Sequence, residues 1–278
     1  LHDGVRVETV VIAHGSRTTV CLSTQAGCAR ACVFCETGRL GLVRQLDAWE
    51  ITGQLRAAAR WLAGAGRAAP SNVVFMGMGE PLDNLDAVLT AAAVLSDDNG
   101  FAIAERRITV STVGVVPKMY ALFARSKLRL ALSLHAANDA DRRALLPVAR
   151  TWDLAALRAA VAASPRTVLV QWTLIAGKND GAQHARELLA FCDGLDVRIN
   201  LIPLNPGPDD SLRSPSLAEV RAFQARLADA GARVMVRLPH GQAIGGACGQ
   251  LAGALRGAAR GSARLPIAGR APRAERCA

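Results

Sequence analysis

Residues 17–35, RTTVCLSTQAGCARACVFC, place a run typical of a β-strand shortly before three closely spaced cysteines. Cys28, Cys32 and Cys35 lie within one eight-residue loop, and the 278-residue chain has seven cysteines in all. Three thiolates can bind three irons of a 4Fe-4S cluster and leave the fourth iron open to a small molecule. A zinc site or buried structural thiols are the competing interpretations, although neither His14 nor Cys21 has a spacing that completes a zinc site.

Apolar runs typical of strands alternate with amphipathic segments along most of the chain. Strands are predicted at residues 17–23, 72–76, 107–111, 128–133, 167–174, 196–202 and 232–238, and helices at 48–62, 83–95, 116–124, 154–162, 181–192 and 217–230. Strands that are largely apolar and separated by helices indicate parallel βαβ units with right-handed crossovers. The pattern therefore predicts an α/β fold, either a barrel or a doubly wound sheet.

Polar and glycine-rich motifs follow the predicted strands. Each motif alone has an ordinary interpretation, such as a tight turn or a helix cap. In a parallel barrel, however, the carboxyl ends of the strands share one face, and that face carries the chemistry. The sequence therefore predicts one site built from several strand ends. Its segments are the cysteine loop, Gly77 to Pro81, Ser111-Thr112, Ser133 to His135, and Asn205-Pro206.

Composition and charge limit the class of protein. Hydrophobic residues make up 51% of the chain and charged residues 20%, and no apolar stretch is long enough to span a membrane. The net charge of +10 favours a polyanionic partner. Half of that excess lies in residues 251–278, which we expect to form a basic, disordered tail. With no secretion signal at the start of the chain, we expect a reducing, cytoplasmic location.

Several motifs occur in one order along the chain: TVCLSTQAGC at 19–28, MGMGEPL at 76–82, STVG at 111–114, SLHA at 133–136, NLIPLNP at 200–206 and ACGQL at 247–251. The three loop cysteines match the signature of the radical S-adenosylmethionine (SAM) superfamily. With these motifs, the chain resembles the RlmN/Cfr family of RNA methyltransferases over nearly its whole length. The resemblance implies a partial (β/α)6 TIM-like radical SAM barrel over residues 17–250, with a short N-terminal β extension at 1–16.

The resemblance also implies two cofactors, a 4Fe-4S cluster and SAM. Cys28, Cys32 and Cys35 would hold the cluster, and SAM would bind at its open iron. Gly77 and Gly79 would let the backbone approach the ligand closely, and Glu80 would accept a hydrogen bond from the SAM amino group. The other implied SAM contacts are Ser111, Ser133, His135 and Asn205.

Two further cysteines match family residues with covalent roles. Cys248 is implied to carry a methyl group as S-methylcysteine and to pass its carbon to an adenine. Cys21 is implied to release the protein–RNA adduct through a transient disulfide with Cys248. From the residues alone, Cys21 is a small buried hydrophobe and Cys248 a thiol near a helix cap. We expect Cys192 to be core and Cys277 to belong to the tail.

Glu8 matches the residue that the family is proposed to use as a proton acceptor. It would remove the proton from the attacked adenine carbon, a task that needs only one reachable carboxylate. The competing interpretation is an exposed carboxylate on an edge strand. Val5, Val7 and Thr9 alternate along this segment, which puts Glu8 on the opposite face.

The resemblance implies methylation of an adenine carbon, carbon 2, in ribosomal or transfer RNA, with a flavodoxin or ferredoxin system as electron donor. Family members carry a helical RNA-binding domain before the segment that starts at Leu1, so we expect either a fragment or a short form. Residues 237–244 lack the family's usual charges, and Glu36 stands where Ser is common. The alternatives are a radical SAM enzyme with a non-RNA substrate and a non-catalytic iron-sulfur scaffold, which would need neither Cys21 nor Cys248.

Overall fold

A computed structural model describes residues 1–15, 17–205, 212–237 and 250–251. Three short 3-10 turns lie at Pro81–Asn84, Glu105–Arg107 and Pro147–Arg150. The strands are β1 (Val10–His14), β2 (Arg17–Cys21), β3 (Gln25–Cys28), β4 (Gly41–Gln45), β5 (Asn72–Phe75), β6 (Ile108–Thr112), β7 (Arg129–Ser133), β8 (Val168–Leu174), β9 (Val197–Pro203) and β10 (Val234–Val236). The helices are α1 (Glu36–Arg39), α2 (Ala48–Gly64), α3 (Leu85–Ser96), α4 (Val116–Arg125), α5 (Asp139–Leu145), α6 (Leu154–Ala162), α7 (Ala182–Cys192) and α8 (Leu217–Asp229).

The main sheet contains eight strands in the order β1, β2, β5, β6, β7, β8, β9, β10. β1 pairs antiparallel with β2, and every later pair in the sheet is parallel. Because each crossover advances the sheet by one strand in the same direction, the sheet curls into a partial barrel with its strand ends aligned. The predicted partial α/β barrel is therefore confirmed.

The core lies between the sheet and the helices that cover it. Val20, Phe75 and Val170 from the strands are fully buried, as are Leu55 and Leu188 from α2 and α7. Burial of each such side chain stabilises the fold by about 1.5–3 kcal/mol. α2 begins with a capping box in which Asp47 and Glu50 satisfy free backbone N–H groups.

The predicted strands and helices of the barrel occur within about two residues of their expected bounds. Three elements were not predicted: the β3–β4 hairpin, which forms a separate two-stranded sheet, and the short helices α1 and α5. Among the helices of the described residues, none is long and apolar enough to cross a membrane. Cys248 and Cys277 lie outside the described residues, and of the predicted tail only Leu251 is described.

Candidate active site

The cysteine loop is attached to the fold at both ends. Cys28 ends β3 and pairs with Gly41 of β4, while Cys35 precedes α1 and donates its backbone N–H to the carbonyl of Cys32 at 3.1 Å. Between them, Arg30 forms an ion pair with Asp83, with Nε 2.8 Å from Oδ2. The ion pair ties the middle of the loop to the turn that follows β5.

The three thiols of this loop lie in an environment that disfavours their charged form. Burial raises the pKa of Cys28 to about 12 and also raises the pKa values of Cys32 and Cys35. A bound iron would supply the missing positive charge, and the thiols would lose their protons on binding. Three thiols in one loop fit a cluster in which each thiolate binds a different iron. No group of three His, Cys, Asp or Glu in the described ranges could hold a single metal ion.

A cavity joins the cysteine loop to the carboxyl ends of the parallel strands. It brings together most of the residues that the sequence predicted for the cluster and SAM. Cys28 is buried at the end of β3 but does not line the cavity. The predicted residues that line it are Cys32, Cys35, Gly77, Gly79, Glu80, Ser111, Ser133, His135 and Asn205.

Gly77 and Gly79 are glycines because their loop packs against the protein's own backbone. A Cβ at Gly77 would lie 2.7 Å from the carbonyl of Leu22, and a Cβ at Gly79 would lie 2.6 Å from the Cβ of Gln25. Gly79 also has a φ of +102°, a region that side chains rarely adopt. The sequence attributed these glycines to close approach of a ligand, whereas the structure gives packing on residues 22–25 as a sufficient reason.

Glu80 is a buried carboxylate that connects two strand-end loops. Its Oε1 accepts the backbone N–H of Leu82 at 3.0 Å, and its Oε2 accepts that of Val113 at 2.9 Å. Burial raises the pKa of Glu80 to about 7, and these hydrogen bonds only partly oppose the effect of burial. Glu80 therefore fixes the loop after β5 to the loop after β6.

His135 is a neutral imidazole with a defined proton position. Burial lowers its pKa to about 3, and Nδ1 accepts the backbone N–H of Thr173 at 2.9 Å. The remaining proton is therefore on Nε2, which can donate a hydrogen bond. His135 has a φ of +59°, and Asn179 stabilises this strained backbone by donating to the His135 carbonyl at 2.8 Å.

Two side chains that sequence reasoning missed lie among the predicted ones. Gln171 lines the cavity, accepts a hydrogen bond from the hydroxyl of Ser133 at 3.4 Å, and has its Nε2 3.6 Å from the sulfur of Met76. Thr173 lines the same cavity two residues further along β8. Polar residues spaced by two within the otherwise apolar strand VLVQWTL were the available signal.

A buried guanidinium lies behind the site. Arg142 is 1% exposed, donates from Nη2 to the carbonyl of Val113 at 2.6 Å, and has no hydrogen-bond partner for its Nε. Burial lowers the pKa of Arg142 to about 10, and the charge of Asp139 only partly opposes the effect of burial. Arg142 therefore holds the Val113 loop from one side as Glu80 holds it from the other.

Two side chains, Ser23 and Gln54, bind the N-terminal segment beside the site. Ser23 donates from Oγ to the carbonyl of Glu8 at 2.6 Å and accepts the N–H of Met78 at 2.9 Å. The buried amide of Gln54 accepts from Thr9 and from the Ser23 N–H, both at 2.9 Å, and donates to the Ser23 carbonyl. Glu8 is half-buried next to the loop that carries Gly77 and Gly79.

Cys21 is buried at the end of β2 and pairs with Val10 of β1. Leu251, three residues after Cys248 in the sequence, packs against Met78, and its carbonyl accepts a hydrogen bond from Thr37 at 2.9 Å. Val10, the pairing partner of Cys21, and Leu251 therefore both pack with Met78 of the loop after β5.

Comparisons with known proteins agree with this geometry. Residues 22–191 match the model of the radical SAM superfamily. "Probable RNA methyltransferase sce1580" of Sorangium cellulosum is 50% identical over 88% of this chain and 63% of its own length, and "Dual-specificity RNA methyltransferase RlmN" of Syntrophobacter fumaroxidans is 44% identical over 89% and 73%. A radical SAM methyltransferase from Sphaerobacter thermophilus superposes with a TM-score of 0.87, at 42% identity, over 90% of this chain and 75% of that one.

The fold and the cysteine loop thus define a radical SAM protein, with a 4Fe-4S cluster and SAM as the cofactors of its class. Within that superfamily, the chain belongs to the RlmN family of RNA methyltransferases. It spans 63% of the length of the Sorangium relative and about 70% of the relatives named RlmN.

Proposed function

We propose that this protein methylates an adenine carbon of RNA, carbon 2, through a methyl group carried on Cys248. The observation that carries the proposal is the cavity where Cys32 and Cys35 meet polar residues at or just after the ends of five strands, β5 to β9. A non-catalytic scaffold would need the thiols but not the set of hydrogen-bonding groups that surrounds them.

Cys28, Cys32 and Cys35 hold the cluster in this proposal, and SAM occupies the adjoining cavity. Ser111, Asn205 and the Nε2–H of His135 are the polar groups that orient it. When bound, the reduced cluster and SAM supply a carbon radical that can remove hydrogen from a methyl group. The apolar surroundings of Cys32 exclude water from that chemistry.

Glu8 serves as the proton acceptor for the attacked adenine carbon. Val7 and Val10, on either side of Glu8 in the sequence, both pack against the cluster of Met78 and Leu251, so this stretch of chain lies along the loop after β5. The hydrogen bond from Ser23 to the Glu8 carbonyl fixes that segment beside the loop after β5, which lines the cavity. These contacts favour the catalytic interpretation of Glu8 over an exposed edge-strand carboxylate.

Cys21 releases the product from the protein. Its thiolate attacks the sulfur of Cys248, so a disulfide forms as the bond from Cys248 to the transferred carbon breaks. The electron pair of that bond stays with the carbon, which takes up a proton and becomes the methyl group. An external thiol then reduces the disulfide before the next turnover.

The test is anaerobic incubation of the reconstituted protein with reductant, methyl-labelled SAM and total RNA, followed by nucleoside analysis. We expect labelled 2-methyladenosine, and we expect mass spectrometry to find one methyl group on Cys248. Cys248→Ala should abolish both signals. Cys192→Ala is the matched control, because Cys192 belongs to α7 and packs against the core away from the cavity.

Formation of 5′-deoxyadenosine without label in RNA would reject the RNA assignment and favour the second candidate, a radical SAM enzyme with another substrate. Label at a different adenine carbon would reject carbon 2 alone. Comparing ribosomal with transfer RNA in the same assay identifies the substrate class.

Two partners complete the proposal. A low-potential flavodoxin or ferredoxin would deliver the electron that the cluster needs. The protein would work in the cytoplasm, where a reducing environment keeps Cys21 and the three loop thiols available.

A further inference from the structure

The amino ends of the parallel strands carry a set of arginines that the proposed reaction does not use. β2 and β7 begin with an arginine, and β9 has one at its second position. Others lie within two residues before β6, β8 and β10. Because these strands are parallel, all of these residues gather at the end of the barrel opposite the candidate active site. They are Arg17, Arg106, Arg107, Arg129, Arg166, Arg198 and Arg233.

Two cavities open at this end of the barrel. One measures about 980 Å³ and the other about 220 Å³. Arg106 and Arg129 line both, so the two cavities adjoin. Arg166, Arg198 and Lys127 line the larger cavity. Arg17 and Arg107 line the smaller one.

Cations outnumber carboxylates among the described residues of this surface. Among the described residues that line the two cavities, seven are cations and two, Glu105 and Asp196, are carboxylates. Asp196 is already engaged, since it pairs with Arg233 and accepts the hydroxyl of Thr167 at 2.6 Å. Arg233 does not line either cavity. Within the described ranges, none of the seven cations that do, Lys127 and the other six arginines, forms an ion pair.

Unneutralised like charges repel one another and favour an anionic partner. The cations are spread over the amino ends of strands β2 to β9, five strand spacings apart. At about 4.8 Å per spacing, that is about 24 Å along the curved sheet. A single phosphate reaches only a fraction of this width, whereas a chain of phosphates can follow it.

We infer that the amino end of the barrel is a second RNA contact, which binds the phosphodiester backbone without reading its sequence. The inference rests on the proposed function, because that function makes RNA the polyanion already bound by this protein. The contact would hold a part of a folded RNA remote from the reacting adenine. Phosphate contacts of this kind supply affinity and salt dependence rather than base specificity.

The test measures binding of a fluorescein-labelled 12-nucleotide oligouridine by anisotropy at several salt concentrations. This RNA has no adenine, and neither SAM nor a reconstituted cluster is needed. For single strands, each neutralised phosphate contributes about 0.7 to the slope of log affinity against log salt. The triple variant R129Q/R166Q/R198Q should therefore lower the slope by about 2, and R129Q alone by about 0.7.

The matched control removes the same charge from the outer helices with the triple variant R56Q/R60Q/R221Q. These arginines are exposed on α2 and α8 and form no ion pair among the described residues. We expect the control slope to equal that of the unmodified protein. Circular dichroism of both triple variants verifies that they fold. If R129Q/R166Q/R198Q does not fold, the salt dependence of R129Q alone tests the inference.

An unchanged slope in the first triple, or an equal fall in both triples, would overturn the inference. It would also be overturned if tripolyphosphate or an acidic polypeptide bound in an Arg129-dependent manner while oligouridine did not. Failure of the proposed function looks different, since methylation of RNA would then be absent while oligouridine binding still depended on these arginines.

Discussion

The carboxylate of Glu80 offers a quantitative test of how the site is built. Burial raises its pKa from 4.5 to about 7, so the folded protein holds a proton that the unfolded chain has already lost between those pH values. The stabilising effect of this proton is complete below about pH 4.5 and is lost as the pH rises toward 7. A difference of about 2.5 pKa units corresponds to about 3 kcal/mol.

The variant Glu80→Gln cannot titrate. Its free energy of unfolding, relative to the unmodified protein, should therefore increase by up to about 3 kcal/mol between pH 4.5 and pH 7.5. A constant offset is also expected, since the amide cannot accept both the Leu82 and Val113 N–H groups. Urea denaturation of the cluster-free protein, under anaerobic conditions with a thiol reductant, measures the difference at each pH.

The control is Asp86→Asn, which removes an exposed carboxylate paired with Arg125. The Arg125 guanidinium lowers the pKa of Asp86, so it stays ionised across the range and its variant should show a flat difference. All other titrating groups are shared by variant and parent and cancel. A flat difference for Glu80→Gln as well would show that the pKa of Glu80 is ordinary, and the account of this loop would be refuted.

Three further perturbations test other parts of the site. Gly79→Ala should lower the free energy of unfolding, measured by urea denaturation, by about 2–4 kcal/mol, because the new Cβ collides with Gln25 and the φ is unfavourable for alanine. A loss below 0.5 kcal/mol would contradict the packing argument. Gln54→Leu should lower the free energy of unfolding by about 2–4 kcal/mol, because the Ser23 N–H and carbonyl lose their buried partner. An unchanged urea midpoint would be inconsistent with that network. The NMR signals of the His135 ring should not titrate between pH 5 and pH 8, so a midpoint within that range would show that the ring is not neutral by burial.

The parallel part of the fold was predictable because its signals are local. Strands such as β8 are largely apolar, and α6 has the predicted bounds Leu154–Ala162. The β3–β4 hairpin escaped prediction because its residues, QAGC and GLVRQ, do not alternate and depend on a bulge between Ala26 and Gly27. Hairpins of this kind are specified by partner strands rather than by their own pattern.

The residues of the candidate site were predictable from the sequence, but the hydrogen bonds between them were not. Motif matches selected Glu80, Ser133 and His135, and the cavity brings them together. The sequence could not reveal that Glu80 joins two loops, or that Gln171 holds Ser133, because both contacts join neighbouring strands whose residues are more than 30 positions apart in the sequence. The role of Arg142 was equally invisible, since an arginine in a helix is usually a solvated side chain.

The shared hydroxyl of Ser23 changes how the modules of this protein can be separated. A boundary placed at residue 16 treats the preceding segment as an appendage, yet that segment contributes the Glu8 carbonyl that Ser23 binds. Trimming the chain to Val10 would remove Glu8 and Thr9 and leave the Gln54 amide with one partner fewer. Any engineered fusion or domain exchange should therefore be joined before Leu1 rather than at the start of β2. A tether attached before Leu1 leaves both residues 1–16 and the loop after β5 intact.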